Sequence, residues 1–87
     1  MKYKTVPGIV LASVCGSYFL ISPKNNLRIN ETVAFYWKQL EKGADEKSLF
    51  DSAVQCYEID DLEALQIDIR KMLHSFLDMN IIKRYDA

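Results

Sequence analysis

The chain has 87 residues, of which 49% are hydrophobic and 26% are charged, and its formal net charge is -1 at pH 7. Single cores usually occupy about 100 to 150 residues, so this length leaves room for one domain, over residues 1–87. The composition is that of an ordinary globular protein and excludes a disordered chain. The balanced charge provides no global positive field for phosphates, so we expect no nucleic-acid partner.

The N-terminal segment bears a partial likeness to a signal peptide, because Lys2 and Lys4 precede an uncharged stretch over residues 5–22. Pro7 and Gly8 interrupt this stretch near its start. The apolar run that remains is shorter than the roughly 20 residues that cross a bilayer. We therefore predict a cytoplasmic protein without a membrane anchor.

Residue types that bind metals or cofactors are sparse. Cys15 and Cys56 match no zinc-ligand spacing and lie among apolar residues, so we predict that both are reduced thiols in the core. His74 is the only histidine, and the three glycines form neither a dinucleotide fingerprint nor a phosphate-binding loop. We expect no metal site and no cofactor.

The first third of the chain is predicted to form a three-stranded antiparallel meander. Residues 9–15 and 18–22 are rich in β-branched, aromatic and aliphatic side chains, and the Gly-Ser pair at 16–17 suits a type II′ hairpin turn. A second turn, over residues 22–26, contains a proline and two asparagines. It leads into a short third strand over residues 27–29.

The remainder is predicted to form three capped helices. Asn30 caps the first helix, which Gly43 ends, and Asp45 caps the second. Asp60 opens the longest helix with a capping box, and Asn80 provides a left-handed stop. The predicted apolar stripes, with the methionine that follows them, are Val33, Tyr36, Trp37 and Leu40; Leu49, Phe50, Ala53, Val54 and Tyr57; and Leu62, Leu65, Ile69, Met72, Leu73, Phe76, Leu77 and Met79.

The predicted fold class is α+β and winged-helix-like, with the three-stranded meander followed by three α-helices. Residues 81–85 either add a short C-terminal strand or pack across the core. Helix, turn and helix over residues 46–79 resemble the DNA-binding part of winged domains. Acids at the start of the last helix, Asp60, Asp61 and Glu63, would repel phosphates. We therefore expect a winged-helix-like shape that does not bind DNA.

No catalytic constellation is visible. Nucleophilic catalysis needs a nucleophile, a base and an orienting group held together, and His74 lies in mid-helix without a nucleophile motif. Acids at the start of a helix are normally caps and dipole partners. We therefore expect no catalytic residues and no enzyme activity.

The short third strand, Leu27, Arg28 and Ile29, is the feature that points to function. A small open sheet keeps unpaired backbone groups at an edge, and a guest strand can use them by β-augmentation. The longest helix carries four residues outside its core stripe. They form either the second wall of a peptide-binding groove beside the strand or an ordinary solvated surface. They are Gln66, Ile67, Arg70 and His74. We expect Arg70 to pair in one of two ways, with an acidic side chain of a bound peptide or with an acid on its own helix.

The segment from Leu27 to Thr32, followed by Tyr36-Trp37 on a helix, resembles the strand-to-helix junction of PqqD-like proteins and related precursor-peptide recognition elements. The resemblance covers residues 16–83. Its other positions are Leu49, Val54, Tyr57, Asp60-Asp61, residues 68–77 and Ile81-Ile82. Asn80 and Val33 depart from the family pattern, which commonly has Gly and a small residue there.

The resemblance implies a domain that captures the leader of a ribosomally synthesised precursor peptide beside its third strand and third helix. It implies that the domain then presents this peptide to a modifying enzyme, often a radical SAM protein. Carried over to this chain, the implied contacts are Leu27, Arg28 and Ile29 on the strand and Gln66, Ile67, Arg70 and His74 on the helix.

We therefore predict a non-catalytic peptide-binding adaptor, a peptide chaperone in the biosynthesis of a modified peptide. Two alternatives from other classes are a winged-helix DNA-binding regulator and a structural protein interaction domain. An open edge that accepts a peptide also permits a homodimer, because it can pair with a second copy of itself.

Overall fold

The computed structural model describes residues 1–24 and 26–85. Four strands come first, three helices follow, and a fifth strand lies at the end of the described chain. The elements in chain order are β1 Lys2–Thr5, β2 Val10–Val14, β3 Ser17–Ile21, β4 Asn26–Ile29, α1 Glu31–Lys42, α2 Glu46–Cys56, α3 Leu62–Asp78 and β5 Ile82–Tyr85. The predicted α+β class, with a meander followed by three helices, is confirmed.

Strands β2, β3 and β4 form an antiparallel sheet in that order. Val14 lies opposite Ser17, so the hairpin loop consists of Cys15 and Gly16, whose φ angles are 49° and 81°. Positive φ at both loop residues is the type I′ turn, which matches the right-handed twist of the flanking strands. The predicted type II′ turn one residue later is wrong, because Cys15 adopts a left-handed conformation usually taken by Gly, Asn or Asp. The predicted turn over residues 22–26 includes Asn25, which lies outside the described residues.

A second, two-stranded sheet joins the ends of the described chain. Strand β1 pairs antiparallel with β5, and Tyr3 also forms a bridge with Ala44 in the loop between α1 and α2. Residues 81–85 were predicted either to form a strand or to pack across the core, and residues 82–85 form the strand. Strand β1 was not predicted, because four residues carry too little alternation to identify a strand without its partner.

Three side chains cap the helices. Asn30 accepts a hydrogen bond from the Val33 amide at 2.8 Å, and Asp45 accepts one from the Ser48 amide at 2.7 Å. Both caps agree with the prediction, as does the end of α1 at Gly43. The cap of α3 is Asp61 rather than the predicted Asp60. Two consecutive acids satisfy the same sequence pattern, and only the backbone path decides which one reaches an amide.

The two acids before α3 provide a direct test of this assignment. Asp61 accepts a hydrogen bond from the Ala64 amide at 3.0 Å. We expect Asp61→Ala to lower the free energy of unfolding by about 1 kcal/mol, the usual cost of losing an N-cap. Asp60→Ala, the matched control, should change it by less than about 0.5 kcal/mol, as surface substitutions usually do. Urea unfolding of both variants measures the difference, and equal losses would contradict the assignment.

The core lies between the inner face of the three-stranded sheet and the helices. Its largest fully buried side chains are Trp37, Leu40, Leu49, Ile69 and Leu73. Several residues predicted to be inside are exposed instead, because they lie at helix ends or in turns: Val54, Tyr57, Leu62 and Met79, together with both cysteines, Cys15 and Cys56. The prediction of core thiols is therefore wrong. None of the helices in the described residues has the length and apolarity needed to span a membrane.

Candidate functional site

Strand β4 forms one edge of the three-stranded sheet, with β3 as its only strand neighbour among the described residues. Leu27 lies opposite Leu20, which is 2% exposed, so Leu27 belongs to the inner face of the sheet. Ile29 shares that face because side chains alternate along a strand. Arg28 therefore belongs to the outer face, where it is exposed. The predicted edge strand is present, and it places two apolar side chains inward.

The register shows which backbone groups of β4 are unused. In a two-residue hairpin the pair that closes the loop, here Val14 and Ser17, is hydrogen-bonded. Hydrogen-bonded pairs alternate along each antiparallel ladder, so Tyr18 directs its backbone groups to the other side and bonds with Ile29. The N–H and C=O groups of Arg28 consequently point away from β3, toward the open edge. These are the groups that a guest strand needs.

A cavity of about 640 Å³ opens beside β4. It lies between the start of β4 and the C-terminal end of α3. Its apolar wall consists of Ile9, Leu20, Leu27, Met79 and Ile81, and its polar rim includes Ser22, Lys24, Asn26 and Asn80. An apolar side chain of a strand laid along β4 would find a pocket here, because guest side chains alternate toward and away from the core.

The charge of this cavity is also informative. Among the described residues of the lining, Lys24 is the one that carries a charge, and none is a carboxylate. Arg28, on β4, adds a second cation on the outer face of the sheet, where its guanidinium lies 3.4 Å from the Ser17 hydroxyl. The part of the site that the structure describes is therefore apolar with a basic border.

The four predicted helical contacts lie on α3 and are all exposed. Ile67, Arg70 and His74 line a shallow depression of about 520 Å³ whose other lining residues also belong to α3. No residue of β4 contributes to this depression. The structure thus brings three of the predicted residues together on one helix face, but it does not join them to the β4 cavity.

Arg70 and Gln66 both face the start of α2. Arg70 donates two hydrogen bonds to the Glu46 carboxylate, each 3.1 Å long. The hydrogen bond from Arg70 is the main reason that the pKa of Glu46 is lowered, and a smaller contribution comes from Gln66. Of the two alternatives for Arg70, pairing with an acid on its own helix is wrong, because the partner acid lies on α2, and pairing with an acid of a bound peptide stays a prediction. In this structure the Arg70 guanidinium is therefore already hydrogen-bonded to Glu46.

Sequence reasoning missed Met79 and Ile81 as site residues. Met79 was assigned to the core stripe but is 45% exposed at the mouth of the cavity. A helical projection separates the core side from the solvent side, but it cannot say which flank of α3 lies beside β4. The left-handed stop at Asn80, whose φ is 58°, was predicted, and it marks the turn that brings Met79 and Ile81 to the sheet.

Comparison with known proteins places the fold. No protein-family model matches the chain, and no curated protein matches it in sequence. A solved structure, that of TbiB1 in complex with the TbiA(beta) leader peptide, has the same fold, with a TM-score of 0.79. The two chains are 17% identical, and the match covers 97% of this chain and 99% of TbiB1. The chain therefore shares its architecture, over almost its whole length, with a protein solved in complex with a leader peptide.

Proposed function

We propose that this protein is a non-catalytic adaptor that binds the leader of a ribosomally synthesised precursor peptide. The leader pairs as an added strand with β4, and the adaptor presents it to a modifying enzyme. In the PqqD-like family that the sequence resembles, this enzyme is often a radical SAM protein. The observation that carries the proposal is the open edge at Arg28 beside an apolar cavity. The fold shared with a leader-bound protein supports it.

In this mode of binding, main-chain hydrogen bonds from Arg28 supply affinity that tolerates many leader sequences. Selectivity comes from side chains, because one apolar leader residue enters the cavity formed by Leu27, Met79 and Ile81. A neighbouring acidic leader residue would meet Lys24 or Arg28. Gln66, Ile67, Arg70 and His74 lie outside this cavity, so this mode does not require them.

The test is a titration of the ¹⁵N-labelled protein with the leader of the small precursor reading frame nearest to its gene, followed by NMR. We expect saturable shifts at residues 26–30 and at Met79 and Ile81. Arg28→Pro removes the outward N–H without removing a bond to β3, and proline is tolerated on edge strands. We expect this change to weaken binding at least about tenfold, because one lost hydrogen bond is worth about 1 kcal/mol and proline also blocks close approach.

Two control variants isolate the backbone contribution. Arg28→Ala keeps the N–H and removes only the side chain, so it should weaken binding less than Arg28→Pro. Ser13→Pro places a proline at the opposite edge of the same sheet, where by the same alternation the N–H of Ser13 also points outward. We expect its affinity to match that of the unchanged protein. The amide spectrum of each free variant reports whether the fold is retained.

Other outcomes would favour other functions. Loss of binding in Ser13→Pro but not in Arg28→Pro would move the peptide to β2. No shifts with the leader, together with shifts on α3 when duplex DNA is added, would replace the adaptor by a DNA-binding regulator. The titration is run at a concentration where light scattering shows a monomer, because a second copy would compete for the same edge.

A further inference from the structure

The second sheet carries a concentrated positive charge. Strands β1 and β5 contain Lys2, Lys4, Lys83 and Arg84, all of them exposed, and neither strand contains an acid. We call these two strands the basic ribbon. It holds four of the eleven basic residues and none of the twelve acidic ones, so the rest of the chain has an excess of acid. A net charge near zero thus conceals a strongly polarised molecule.

Folding does not explain this concentration of charge. Lys4 lies directly opposite Lys83, and like charges at opposed positions destabilise a strand pair. The ion pair found among the described residues joins Arg70 to Glu46 and includes no ribbon side chain. Asp45 is close enough to feel the charge of Lys2, but its carboxylate accepts its hydrogen bonds from Ser48. Lys2 is therefore attracted by Asp45 only through space, and Lys4, Lys83 and Arg84 form no ion pair among the described residues.

The ribbon also has an open edge. Tyr3 exchanges two backbone hydrogen bonds with Ala44, of 2.8 and 3.0 Å, so its groups point away from β5. By alternation, Lys4 and Lys83 form the hydrogen-bonded pair between the two strands. The N–H and C=O groups of Arg84 then point to the free side of β5. No backbone bond outside the regular ladders involves Arg84 in the described residues.

We propose that the basic ribbon binds an extended acidic segment of a partner protein, which pairs as a strand with β5. The positive charge selects acidic strands, and the same charge keeps the edge from pairing with a second copy of the chain. A polypeptide uses both the N–H and the C=O of Arg84, whereas a phosphate backbone would use only the donor. This surface lies in a different sheet from β4, and its role does not depend on leader binding there.

Nucleic acid is the competing occupant, and the charge distribution disfavours it. In a winged-helix arrangement the start of α3 would face the duplex together with the strands. That end of α3 carries Asp61 and Glu63, both exposed, which would repel phosphates. A short acidic segment covers the ribbon alone and avoids this repulsion.

The experiment uses the full-length ¹⁵N-labelled protein and a blocked synthetic peptide of alternating Glu and Thr, eight residues long. We expect saturable amide shifts at residues 2–5 and 82–85, and any shifts at residues 26–30 report the separate leader site and are removed by Arg28→Pro. Affinity should fall at least about fivefold when salt is raised from about 20 mM to about 300 mM, because exposed charges are screened. A peptide of alternating Lys and Thr is the matched probe and should cause no shifts.

Variants locate the binding surface. Lys83→Glu should weaken binding of the Glu-Thr peptide at least about fivefold, since it replaces attraction by repulsion. Lys4→Glu should have the same effect while relieving the opposed lysines, which guards against a loss that is due only to misfolding. Lys71→Glu, on the outer face of α3, is the matched charge control and should leave the affinity unchanged. Arg28→Pro should also leave it unchanged, which separates this surface from the leader site.

Three results would overturn the proposal. One is the absence of shifts in the ribbon when the Glu-Thr peptide is added at low salt. Another is an equal response to the Lys-Thr peptide, which would show that charge does not select the guest. The third is a stronger response of the ribbon to a duplex DNA oligonucleotide than to the acidic peptide, which would assign the surface to nucleic acid.

Discussion

Trp37→Ala is expected to lower the free energy of unfolding by about 3–5 kcal/mol, the usual cost of truncating a buried aromatic residue. The side chain is 0% exposed, and its ring meets that of Phe76 edge to face, with 5.8 Å between centroids. Domains of this size have a total stability of only about 5–10 kcal/mol. The variant should therefore unfold at a much lower urea concentration, and at 37 °C a large fraction should be unfolded.

Trp37→Phe is the matched control for this change. The indole N–H of Trp37 is buried and has no hydrogen-bond partner in the described structure, a state that costs stability. Phenylalanine removes that donor and keeps a ring against Phe76, so we expect a loss of only about 1–2 kcal/mol. Urea unfolding, followed by far-UV circular dichroism, measures both variants. A loss as large as that of alanine would mean that the indole N–H is satisfied after all.

Gly43→Ala is expected to have the second-largest effect on stability. Gly43 ends α1 with a φ of 93°, a conformation that costs a side-chain-bearing residue about 1–3 kcal/mol. A Cβ atom at this position would also overlap the hydroxyl of Tyr85 on β5. The overlap lies at the far end of the Tyr85 side chain, so we expect the ring to be displaced and the loss to exceed the backbone cost alone. Thermal unfolding measures the loss, and amide shifts in residues 82–85 report the displacement of the Tyr85 ring.

Gly8→Ala separates the two causes. Gly8 has nearly the same φ, 94°, but a Cβ atom there would meet nothing within 4 Å. Its substitution should show the backbone cost alone, about 1–3 kcal/mol. Adding Tyr85→Phe to Gly43→Ala removes the overlapping hydroxyl and should recover part of the excess loss. Equal destabilisation by Gly8→Ala and Gly43→Ala would show that Tyr85 moves aside at no cost.

The strand half of the candidate site could be predicted from the sequence, and the helix half could not. Leu27, Arg28 and Ile29 follow a turn signal and precede a capped helix, so their place at the end of a meander is a local property. Which helix residues close the cavity beside this strand depends on the angle at which α3 crosses the sheet. The cavity is closed by Met79 and Ile81 at the end of α3, while Arg70 faces Glu46 on α2.

The sequence by itself determined the fold class, the three helices and two of their three N-caps, because stripes and caps act over a few residues along the chain. Tertiary structure alone decided the pairing of β1 with β5, which places Lys4 opposite Lys83. It also decided the choice of Asp61 as a cap and the exposure of both cysteines. These features depend on which distant segments of the chain meet. Hydrophobic periodicity identifies a single helix or strand, but it does not show which other segment that element contacts.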